Sequence, residues 1–110
     1  MGDIDVHKLT KDMGGAARGV LKEKWPAARA YAEAEFKKLG ETVIMIQKSK
    51  LTGEINEDEA RLLMDMQKSA MRSVMLTIEG LGIIAVEQAV NAALAVARDT
   101  VNTAIGWTVL

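Results

Sequence analysis

Residues 80–96 read GLGIIAVEQAVNAALAV, and this stretch decides how the chain must fold. At 100° per residue, Leu81, Ile83, Ile84, Val86, Val90 and Leu94, with the alanines between them, cover most of a helix circumference. Glu87, Asn91, Arg98 and Asn102 keep only a narrow polar strip. A helix that is apolar nearly all round is buried on more than one side. From Val74 to Leu110 the charged residues are Glu79, Glu87, Arg98 and Asp99, so the C-terminal third is poorly equipped to face water.

Toward the N-terminus the same helical pattern reads back to Glu57 without a proline. Gly80 and Gly82 are the interruptions, each costing about 1 kcal/mol against Ala. They are read as a bend in one helix from about 57 to 105, roughly 70 Å long. Between Ala60 and Ile78, Leu63, Met66, Ala70, Met71, Val74 and Ile78 fall on one side, and Arg61, Asp65, Lys68 and Arg72 on the other.

The turn before this helix is well specified. Gly53 suits the left-handed residue that closes a helix. Asn56 and Glu59 have capping-box spacing, with Ile55 placed as a staple toward Ala60. Glu57, Asp58 and Glu59 put negative charge at the positive end of the helix dipole. Gly53, Ile55 and Glu59 also match part of a calcium-loop pattern, but Lys48, Lys50 and Thr52 stand at its earlier ligand positions, and ammonium groups repel calcium. A plain capped turn is expected.

The arm before the turn reads as a helix from about Trp25 to Lys50. Pro26 stands at its start, and Phe36, Leu39, Val43 and Ile46 form an apolar stripe. Residues 16–24 are expected to continue it through a kink or break. Residues 1–15 read as a weakly ordered N-terminal segment punctuated by Gly14-Gly15, leaving 16–110 as a helical hairpin domain. If the arms fold antiparallel, the first covers the second only to about Leu81 or Gly82. The most apolar stretch then needs another chain. The expected architecture is therefore all-α: a long antiparallel hairpin completing a four-helix bundle as a homodimer or higher oligomer.

Composition narrows the function classes. Of 110 residues, 49% are apolar and only 4% aromatic, the rest of the apolar share being Ala, Leu, Val, Ile and Met, which suits closely packed helices. The net charge of −1 gives no global pull toward nucleic acid or anionic membrane. Absence of cysteine excludes disulfides and thiolate metal sites, and fits a cytoplasmic location. Met1 to Lys11 lacks an apolar signal-peptide core, and the uncharged run Gly80–Val86 is too short to span a bilayer.

Catalytic chemistry is poorly supplied. His7 is the single histidine and lies in the most weakly patterned part of the chain, so any nucleophilic triad would have to use it, and no phosphate-binding glycine loop occurs. No catalytic residue and no cofactor are expected. Glu33, Glu79 and Glu87 lie on or beside apolar faces and form the one candidate metal set, since a two-fold bundle would present each twice. Ferritin-like centres add histidine at Glu-x-x-His spacing, which is absent here, so ion pairs are favoured, Glu79 with Arg29 or Arg72. Glu87 and Asn91 suit a polar seam that sets register between chains. Trp25 and Trp107 are expected to pack rather than bind ligand. The function expected is a non-enzymatic structural or interaction protein with itself as partner. A carboxylate metal-binding bundle and a peripheral membrane-surface protein using the Ala- and Val-rich C-terminal segment are the alternatives.

Overall fold

The computed structural model describes residues 4–110, so the first three residues of the expected N-terminal segment lie outside it. The described chain is all-helical: α1 (Val6–Leu21), α2 (Trp25–Leu51), α3 (Glu57–Leu76) and α4 (Ile83–Ile105), with a 3-10 turn over Lys22–Lys24. α1 lies against α2 and α4, and α3 against the same two helices, closing a four-helix ring.

The N-terminal half of this arrangement differs from expectation. Residues 6–21 form one helix, capped by the Asp5 side chain, which accepts a hydrogen bond from the Lys8 N–H at 3.0 Å. Leu9, Met13, Ala17 and Leu21 recur every four residues and are buried, which supplies the reason for ordering the segment. Nor is α1 a kinked continuation of α2. The backbone of Lys22 turns into positive φ (52°) and reverses the chain. The two helices then run antiparallel and close: a Cβ on Gly40 would lie 2.9 Å from Val6 Cγ1.

The turn between α2 and α3 forms as expected. Gly53 has φ +75°. The Asn56 side chain accepts from the Glu59 N–H at 2.8 Å, and the Glu59 carboxylate accepts from the Asn56 N–H at 3.0 Å. The acidic first turn is braced by Arg61, which pairs with Glu57 and Asp58. Glu59 is thus committed to capping, and Lys50 reaches away to the Ile105 carbonyl at 2.7 Å while stacking over Trp107.

The continuous second helix is corrected. It ends at Leu76, and residues 77–82 turn the chain back. The Thr77 hydroxyl donates to the Val74 carbonyl at 2.6 Å, Gly80 adopts φ +89°, and Gly82 is extended at the start of α4. Ile78 anchors the turn in the core, and Lys24 donates to the Gly80 carbonyl at 3.0 Å. Two glycines within three residues make the reversal cheap, and α1 offers α4 a face to bury against. Val86, Ala89, Val90, Ala93, Leu94 and Ala97 are accordingly buried within the chain. α1 thus covers one side of the apolar stretch and one chain makes the four-helix closure, while Ile83 and Ile84 stay 70% and 75% exposed at the start of α4. At the far end Gly106 (φ +82°) stops α4, and Asn102 folds the tail back by accepting from the Val109 and Leu110 N–H groups.

Candidate functional site

Two surface features stand apart from the rest of the bundle. The first is a cleft of about 740 Å³ between α1 and α2. On α1, His7, Thr10, Lys11, Gly14, Gly15 and Arg18 fall on one face at helical spacing. On α2, Trp25, Arg29, Glu33, Ala34 and Lys37 do the same. Four fixed cations therefore meet a single carboxylate. Glu33 is held by Arg29 at a long 3.4 Å, and Lys11, Arg18 and Lys37 make no ion pair among the described residues. Gly14 brings the α1 backbone against the ring of Trp25, which forms one wall: a Cβ at that position would lie 3.8 Å from the indole.

The second feature is the outward face of α3. Its buried residues are Ala60, Met64, Met71 and Met75. This stripe is turned roughly a quarter of the circumference from the apolar side read in the sequence. Met66 and Ala70, expected inside, face out. The outermost line is Leu62, Met66, Ser69, Ser73 and Leu76, an uncharged row with heptad-like spacing of four and three. Leu62 is 60% exposed, Met66 59% and Leu76 45%. Asp65 and Arg72 border the row on one side, and Ala70 lies on the other.

The three carboxylates singled out in the sequence are not brought together. Glu33 is in the α1–α2 cleft with Arg29, which is thereby not Glu79's partner. Glu79 lies exposed in the α3–α4 turn rather than on an apolar helix face. Glu87 takes Arg72 at 3.1 Å, so its bond runs between α3 and α4 of one chain. Asn91 is exposed. Among the described residues no group of three or more His, Asp or Glu side chains is placed to hold a metal ion, and no helix is long and apolar enough to cross a membrane.

Glu35, passed over in the sequence, is 2% exposed. One oxygen accepts from Lys38 at 3.0 Å, while Oε1 is buried without a partner. Replacing Glu35 with Leu removes that unmet group at similar volume, and Lys38, itself largely exposed, loses little. The variant is expected to gain about 1–3 kcal/mol in urea unfolding. Equal or lower stability would show that Glu35 has a role beyond packing.

Comparison with protein-family models, curated proteins and solved structures finds no match to this chain.

Proposed function

We propose that this chain is a non-enzymatic interaction module that pairs with a second copy of itself through the outward face of α3. The observation that carries the reading is the uncharged row from Leu62 to Leu76, which no other helix covers among the described residues. The row is self-complementary when two copies run antiparallel about Ser69. Leu62 then meets the other copy's Leu76, and Met66 falls within one residue of the level of Ser73. The small side chains of Ser69, Ala70 and Ser73 let the backbones approach closely. The charges agree with that direction: Asp65 of each copy falls within one residue of Arg72 of the other, a contact that would add to the ones Asp65 makes with Lys68 and Arg72 with Glu87 inside the chain. A single helix face is at the low end of interface sizes, so a dissociation constant in the micromolar range is expected.

The chain has no native cysteine, so engineered thiols report the pairing cleanly. Ser69→Cys is expected to form a disulfide-linked dimer under mild oxidation. Leu62→Cys alone is not, because the two thiols would be roughly 20 Å apart. Mixing Leu62→Cys with Leu76→Cys restores the link. Met66→Glu, at an exposed site, leaves the fold intact and shifts sedimentation to the monomer. If the unmodified chain sediments as an 11.9 kDa species even at roughly 100 μM, self-pairing is wrong.

A further inference from the structure

A second, separate surface carries a binding site. We propose that the cleft between α1 and α2 takes a small polyanion, gripped by Arg18 and Arg29 at one end and by Lys11 and Lys37 at the other. The antiparallel packing sets these pairs. Gly14 lies level with Glu33 and Val6 level with Gly40, so Arg18 and Arg29 fall on one side of that level and Lys11 and Lys37 on the other. Two helical turns separate the pairs along each helix, about 11 Å.

Three observations point to an anionic ligand. The chain as a whole carries a net charge of −1, so this concentration of cations is local rather than compositional. Like charges converging on one cleft repel, and three of the four have no ion-pair partner among the described residues. The groove is open to solvent, and its volume of about 740 Å³ falls within the range of small-molecule sites. Guanidinium forks suit phosphate and carboxylate oxygens, and the lysines supply point charge. Gly14 and Gly15 leave the α1 side of the floor free of side chains. Glu33 opposes an anion, and its 3.4 Å contact with Arg29 is long enough for a ligand oxygen to replace. A nucleic-acid strand fits less well, because one tryptophan offers no succession of stacking platforms.

Trp107→Phe leaves Trp25 as the single tryptophan and makes the cleft its own reporter. In that background, sodium tripolyphosphate and citrate are titrated separately against sodium chloride of matched ionic strength. A saturable change in Trp25 emission with either probe is expected, and the tighter of the two tells whether the ligand ends in phosphate or carboxylate. Arg18→Gln and Lys37→Gln, both at exposed positions, each weaken binding about tenfold, with circular dichroism unchanged. Glu33→Gln tightens it. The proposal is overturned if neither probe saturates, if the response ignores the Arg18 and Lys37 substitutions, or if a single-stranded oligonucleotide binds where both small anions fail.

Discussion

Phe36→Ala is expected to remove about 3–5 kcal/mol of stability, a large share of what a domain of this size holds. Phe36 is the chain's one phenylalanine, is 1% exposed, and heads the fully buried side chains by volume. It sits on α2, one of the two helices that touch all three others. The core around it is unusually rich in alanine: Ala17, Ala28, Ala32, Ala89, Ala93 and Ala97 are all fully buried. Alanine has no rotamers with which to lean into a vacated space, so the cavity stays largely open and the cost falls toward the upper end. At about 4–8 °C per kcal/mol, thermal melting drops by tens of degrees. Tyr31→Ala on the same helix, at a half-exposed position, is the control and should cost less than 1 kcal/mol. Equal losses for the two would mean that the core is not where it is described.

Gly80→Ala with Gly82→Ala is expected to change the topology rather than the helix content. Alanine at the φ of +89° held by Gly80 costs about 1–2 kcal/mol, while both substitutions favour helix by about 1 kcal/mol each. The six-residue turn over 77–82 then straightens, and α3 and α4 become the single long helix that the sequence suggests. Helix α4 keeps its partner only by docking on α1 of another molecule, which is a domain swap. Light scattering in a Met66→Glu background should show a stable dimer with circular dichroism slightly more helical, since the turn becomes helix and the swapped contact does not use the α3 face. Gly82→Ala alone should remain unswapped, because its φ is negative and a Cβ there meets nothing. A monomeric double variant would show that the reversal is held by Ile78 and the Lys24 bond rather than by the glycines.

The parts of the fold legible in the sequence are those specified by local chemistry. The Asn56–Glu59 box, Gly53 and Pro26 each act within a few residues, and their helix ends fall where expected. The end of α4 at Ile105 also falls where the helical pattern of the sequence stops. What was not legible depended on distant partners. Gly14 and Gly15 resemble a break until Trp25 is seen packed against Gly14, after which Leu9, Met13, Ala17 and Leu21 read as a buried stripe. The apolar circumference after Leu81 demands cover, but nothing local says that α1 supplies it. The face of α3 was misjudged because hydrophobicity alone cannot rank Met66 against Met64. The cleft followed from the same oversight. His7, Lys11 and Arg18 become a row only once residues 6–21 are a helix, and a site only once that helix lies against α2.

The broad contact between the first and last helices also bears on how the molecule is made. While it is being synthesised, α1 can pack early against α2, but the side it turns to α4 must wait for that helix. The α2–α3 hairpin can form during that interval from neighbouring residues. Closure then joins segments far apart in the chain, and that late step sets the folding rate. A nascent chain stalled before residue 83 presents the bare side of α1 to chaperones and proteases until α4 is made.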